Sequence, residues 1–180
     1  MSFLDKHLPS LLYLVLLALV SVGLYINMMF KRNDIAALTL SATALVAIVM
    51  HEGYKDFAYI PVPGDVPTIG FGTTSGVKLG DKTTPTQALN RAMVDIQKFE
   101  GAVKSCVFVP LSQGEYDAYI SLSYNIGSSA FCGSTLVKRL NQGEYALACQ
   151  EILRWDRFQG KKLAGLTKRR EEEYLKCSTS

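Results

Sequence analysis

Between Glu52 and Thr68 the chain is denied a helix. Gly53 stands directly after an apolar run, and Pro61, Pro63, Gly64 and Pro67 crowd the turn that follows. Proline lacks the amide donor and clashes with the preceding helical turn, and glycine gives a chain its exit from one. Before the break, Leu45, Ile48 and Val49 sit at helical spacing, so that helix buries an apolar face and carries Glu52 at its C-terminal end, partly buried. After the break, Thr68-Ile69-Gly70-Phe71-Gly72 reads as a short strand in a small β-hairpin lobe. Glu52, a proline-braced turn bearing Asp65, and the hydroxyl of Thr68 are thereby brought towards one cleft. Two acids and a hydroxyl there suit cleavage of a glycosidic bond, which needs an acid to protonate the leaving oxygen and a carboxylate to activate water or stabilise the transition state.

The rest of the chain is helical in pattern. Thr84-Pro85-Thr86-Gln87 is a capping box with proline at the first helical position, and Leu89, Ala92, Met93, Ile96 and Phe99 mark the expected buried face. Ser112 to Glu115 forms a second box, with Leu111 and Tyr116 placed as a hydrophobic staple and Gly127 as the stop. Further helices are expected at 134–140, 144–155 and 166–177, separated by Asn141 to Gly143 and by a loop from Phe158 to Gly165. The fold class is α+β, mostly helical.

Several of these pieces together resemble the phage-type lysozymes, a glycoside hydrolase family. They are Glu52-Gly53, Ala58-Tyr59, the hairpin Gly64 to Gly72 with Thr68-Ile69-Gly70, Tyr124 to Gly127, Ser134 to Leu136, Arg154-Trp155, and Gly165-Leu166 with Arg169-Arg170. The resemblance runs from about Ser41 to Cys177 and implies a lysozyme-like fold and a muramidase, without cofactor, that cleaves the β-1,4 bond between N-acetylmuramic acid and N-acetylglucosamine in peptidoglycan. It implies Glu52 as the general acid and Thr68 as the hydroxyl that holds the attacking water. The family carries its second acid nine residues after the glutamate and six before the threonine, positions that Pro61 and Val62 occupy here. Asp65 is the nearest replacement, in a turn one residue longer, and Asp56 is a weaker one. Inversion, which the resemblance also implies, needs the carboxyl groups ~6.5–9.5 Å apart rather than ~5–5.5 Å.

Around these acids, Tyr59, Phe71 and Tyr124 are candidates to stack on sugar rings, Gly70 and Gly72 to allow close sugar approach or tight strand packing, and Asn125 to line the cleft. Arg169 or Arg170 is a candidate partner for Glu52, although the run Glu171 to Glu173 reads more simply as a solvated helix face. His51 and His7 are the only histidines, so no metal site is expected. The position of the second acid leaves two competitors, a lytic transglycosylase and an inactive peptidoglycan-binding protein.

Ahead of the catalytic domain, Ser10 to Phe30 contains no Asp, Glu, Lys or Arg. At ~1.5 Å per residue such a run spans a ~30 Å hydrocarbon layer. It is expected to be a transmembrane helix, giving a segment 1–34 and a catalytic domain 35–180. A helix of this kind resembles the signal-anchor-release segment of endolysins, which is exported by the secretion machinery and tethers the enzyme to the inner membrane with its catalytic domain in the periplasm. Lys6 on one side and Lys31 with Arg32 on the other do not favour an outward C-terminal domain by charge. A second apolar run, Ile35 to Met50, is short for a span and reads as a soluble helix ending at the site. Cys106, Cys132, Cys149 and Cys177 all follow it; two disulfides are expected, with three connectivities open, of which Cys106 to Cys132 with Cys149 to Cys177 would brace the helical lobe. The net charge of +3 comes without a basic block, which argues against nucleic acid as a partner, and a monomer is expected.

Overall fold

The computed structural model describes residues 31–62 and 64–179. The chain divides into two units, Met1–Arg32 and Asn33–Ser180. The expected span Ser10 to Phe30 lies outside the described residues, and among those that are described no helix is long and apolar enough to cross a membrane.

A 3₁₀ turn at Ile35–Ala37 opens the second unit, and helix α1 follows at Ala42–Glu52. The apolar run from Ile35 is therefore not one helix, because its middle is held extended from elsewhere. Leu40 N–H donates to Glu100 at 2.8 Å, Ser41 N–H and hydroxyl donate to Asp117 at 3.0 and 2.6 Å, and Lys104 donates to the Leu38 carbonyl at 2.7 Å. Ser41 then caps α1 by accepting from Ala44 N–H, and Gly53 closes its far end.

Strands β1 (Lys55–Tyr59) and β2 (Thr68–Gly70) form the antiparallel hairpin, pairing Lys55 with Gly70 and Tyr59 with Thr68 across an irregular register. Helix α2 spans Pro85–Cys106 and α3 spans Gln113–Ile126, and both capping boxes are formed. The buried stripe of α2 is Ala88, Ala92, Ile96 and Val103, whereas Leu89 and Met93 are exposed. This corrects the expected face. A β-carbon built on Gly70 would meet the Ala88 β-carbon at 2.7 Å, so hairpin and helix approach closely enough that only small side chains fit between them.

Helices α4 (Ser128–Cys132), α5 (Thr135–Asn141), α6 (Tyr145–Glu151) and α7 (Ala164–Ser178) complete the helical lobe around α3. Residues 114–123 of α3 are buried on every side, with Tyr116, Tyr119, Ile120 and Leu122 at the centre of the core. α7 packs along α3. Two features went unforeseen in the sequence, the short α4 and a second hairpin, β3 (Arg157–Phe158) with β4 (Lys161–Lys162), where a loop was expected. Its turn needs positive φ at both Gln159 and Gly160, a conformation of which only the glycine gives local warning. Disulfides join Cys106 to Cys132 and Cys149 to Cys177, each with Cα atoms 5.7 Å apart, tying α2 to α4 and α6 to α7.

Candidate active site

The end of α1, the hairpin, and the C-terminal end of α3 surround a cleft of about 830 Å³. Glu52, Tyr59, Asp65, Thr68 and Asn125 all line it, so candidates marked in the sequence meet there although 73 positions separate Glu52 from Asn125. Tyr124 and Gly72 line it as well, together with Asp95 and Lys98, which the sequence reading had not singled out.

Glu52 projects from the last turn of α1 with its side chain 21% exposed. Its Oε1 accepts from Arg169 Nη1 at 2.7 Å, and Arg169, on α7, is buried. The expectation of a solvated face at this end of α7 is thus overturned for Arg169, Arg170 and Glu173, all of which are buried; Glu171 and Glu172 remain exposed. Gly72 has φ +87°, and a β-carbon there would stand 3.3 Å from Glu52 Oε2. Any larger residue would press on that oxygen, which faces the hairpin.

Asp65 lies on the exposed rim. Its N–H donates to the Val62 carbonyl at 3.0 Å, and its Oδ1 accepts from Val66 N–H at 2.8 Å, which fixes the carboxylate within its own turn. Thr68 is buried and its hydroxyl donates to the Val66 carbonyl at 3.2 Å. A hydroxyl whose proton is engaged in this way presents lone pairs, so Thr68 can accept a hydrogen bond from a water in the cleft.

Two expected substrate contacts lie elsewhere. Gly70 is buried against Ala88 and Thr83 and does not line the cleft; its lack of a side chain serves packing between hairpin and helix. The Phe71 ring, in the turn after β2, packs on Tyr54 with centroids 5.5 Å apart and is likewise absent from the cleft lining. What Phe71 contributes is its carbonyl, which accepts from the Tyr124 hydroxyl at 2.8 Å. Burial, reinforced by the charges of Glu52 and Asp95, pushes that hydroxyl well above the usual tyrosine range, so it remains a donor. The ring of Tyr124 packs against Phe99 at a tilt of 56°, with centroids 5.1 Å apart.

Asp95 is a further carboxylate in the cleft, accepting from the Thr73 hydroxyl at 2.8 Å and from Lys98 at 2.9 Å. Nothing in its local sequence marks it; it reaches the cleft because α2 crosses behind the hairpin. Asp56 is exposed on β1 and is not part of the cleft lining. His51 Nε2 lies 3.1 Å from Glu172 Oε2, and among the described residues no group of His, Cys, Asp and Glu is arranged to hold a metal ion.

This geometry coincides with a family assignment. Residues 49–173 match the family model described as phage lysozyme. The chain is 40% identical over 140 residues to the SAR-endolysin of Pseudomonas phage phiKMV, covering 76% of this chain and 86% of that protein. Among solved structures it is similar to the muramidase domain of SpmX from Asticaccaulis excentricus, at TM-score 0.73 and 30% identity, covering 79% of this chain and 99% of that one. It is also similar to a point mutant of P22 lysozyme, at TM-score 0.68 and 34% identity, covering 78% of this chain and 99% of that one. The chain belongs to the phage lysozyme family and is a lysozyme-type glycoside hydrolase of the endolysin class.

Proposed function

We propose that this endolysin hydrolyses the β-1,4 bond between N-acetylmuramic acid and N-acetylglucosamine, with Glu52 as the proton donor and Asp65 and Thr68 as the pair that activates and holds the attacking water. The observation that carries this reading is the shared cleft: Glu52 rises from its floor with Oε2 towards the hairpin, while Asp65 and Thr68 stand on its hairpin side. General acid catalysis from such a position contributes ~10²–10⁴-fold. Tyr59 on the hairpin and Asn125 at the end of α3 are assigned to sugar contacts within the same cleft.

The test is mass spectrometry of muropeptides released from purified peptidoglycan in heavy-oxygen water. Labelled reducing ends are expected; unlabelled anhydro ends would mean a transglycosylase, and no release by folded protein would mean a binding module.

The same proposal extends to the N-terminus. Residues 1–34 act as a signal-anchor segment passed through the secretion machinery, with Ser10 to Phe30 spanning the inner membrane and domain 35–180 acting as a monomer in the periplasm. Its support is the uncharged run itself and the name SAR-endolysin borne by relatives from Pseudomonas phage phiKMV and Enterobacteria phage P21. Membrane fractionation tests it: the protein should sediment with inner membranes before depolarisation and become soluble afterwards. Retention in the membrane fraction would remove release from the proposal.

A further inference from the structure

Behind Glu52 lies a buried ionic cluster that the proposed chemistry leaves without a task. Arg169, Arg170 and Glu173, all on α7, have side chains 5%, 1% and 5% exposed, so solvent does little to screen them. The Arg169 guanidinium has a partner at each of its three nitrogens. Nε donates to Glu173 Oε1 at 3.3 Å, Nη2 to the Ser121 carbonyl at 3.3 Å, and Nη1 to Glu52 Oε1 at 2.7 Å. Two of those contacts set the plane of the fork, and the third points it at the acid. Glu173 Oε1 also accepts from the Ser121 hydroxyl at 2.6 Å and from Arg170 Nη2 at 2.9 Å.

We infer that Glu173 is a positioning residue for the reaction, acting on Glu52 through Arg169. The inference rests on Glu52 being the proton donor. Two cations face two carboxylates in this cluster, and Arg170 is offset by Glu173 rather than by Glu52: its Nε lies 2.9 Å from Glu173 Oε2, although out of line for a hydrogen bond. Of the other groups around the cluster, Lys176 pairs with Asp117 at 3.0 Å, and the His51 imidazole, lowered chiefly by burial, stands 3.1 Å from Glu172. Burial raises the Glu173 carboxyl above its ordinary value against the pull of Arg170, Ser121 and Arg169; three donors converging on one oxygen, two of them guanidinium groups, are the geometry of a carboxylate acceptor. If that charge is lost, Arg170 is left without its carboxylate partner, and Arg169 loses the contact that fixes its Nε.

The experiment is a double-mutant cycle on the full-length protein, with kcat and KM measured on purified peptidoglycan for Glu173→Gln, Arg169→Gln and the pair. Glu173→Gln should lower kcat by ~10–100-fold with KM nearly unchanged, because a misplaced catalytic group costs rate rather than binding. The double variant should be no slower than Arg169→Gln alone, the non-additivity expected of residues acting as a unit. Multiplicative losses, or a loss confined to KM, would overturn the inference. Should Glu173→Gln fail to fold, Glu173→Asp keeps the charge and withdraws it by one methylene; a several-fold loss of kcat that vanishes in the Arg169→Gln background is expected, and full activity overturns the inference. Glu52→Gln serves as the control. If it retains turnover, the assignment of the acid falls and this inference with it; if it is inactive while the cycle is multiplicative, this inference alone falls.

Discussion

The floor and the rim of the cleft hold their carboxylates in opposite ways. Glu52 on the floor is bound to a buried arginine that is itself gripped from α3 and α7, whereas Asp65 on the rim makes hydrogen bonds only inside its own turn, among the described residues. A proton donor is useful only if its oxygen keeps one position relative to the scissile bond, and a packed ionic floor provides that. A water-activating carboxylate works from wherever its oxygens reach the water. The rim therefore tolerates a longer turn and a shifted acid, and the floor does not.

The largest expected effect sits on the floor. Glu52→Gln should lower hydrolysis by ~10³–10⁴-fold while sparing the fold and peptidoglycan binding, as read by muropeptide release and a sedimentation binding assay. Next comes the brace of α7. Replacing Cys149 and Cys177 by serine removes a disulfide of sequence separation 28, one helical turn beyond Glu173. The expected loss is ~2–4 kcal/mol of stability in denaturant titration, and activity in the remaining folded protein should fall more than it does when Cys106 and Cys132 are replaced.

At the rim, Asp65→Asn should cost ~10²-fold in kcat with little change in melting temperature, since Asp65 is exposed and tied only to its neighbours. Near-full activity would break the comparison and move the second carboxylate to Asp95, the other acid lining the cleft. Between hairpin and helix, Gly70→Ala should cost ~1–3 kcal/mol of stability through collision with Ala88 and through the positive φ of +66° at that position, and Ala88→Gly should restore the collision part alone. A rate loss in excess of the stability loss would return Gly70 to the substrate side.

The smallest effect is a pH dependence. Burial, followed by the charge of Arg169, lowers the His51 imidazole below its ordinary value against the pull of Glu172 and Glu52. A base depressed in the fold binds its proton more readily when unfolded. Its contribution to stability is intact above the ordinary imidazole value of about 6.5 and is lost progressively as pH falls below it. Melting temperatures measured from neutral to acidic pH should therefore fall less steeply for His51→Gln.

What was legible in the sequence depends on local causes. Thr84 with Gln87 and Ser112 with Glu115 satisfy helix termini within three residues, so the starts of α2 and α3 could be read directly. The prolines before Thr68 excluded a helix there in the same local way. The break ahead of α1 could not be read: the Ser41 cap is local, but Glu100 and Asp117, which hold the chain extended before it, act across 60 and 76 residues.

By itself the sequence determined the helix caps, the broken segment that carries the site, and the residue types offered to the cleft, since backbone sterics and short-range hydrogen bonds need nothing beyond the neighbouring residues. Only the tertiary structure decided that Arg169 and Glu173 are buried rather than solvated, that Gly70 serves packing while Gly72 faces the acid, and that Asp95 joins the cleft. Burial and charge pairing belong to the space between elements, and identical charges on a helix read the same in sequence whether water or another helix covers them.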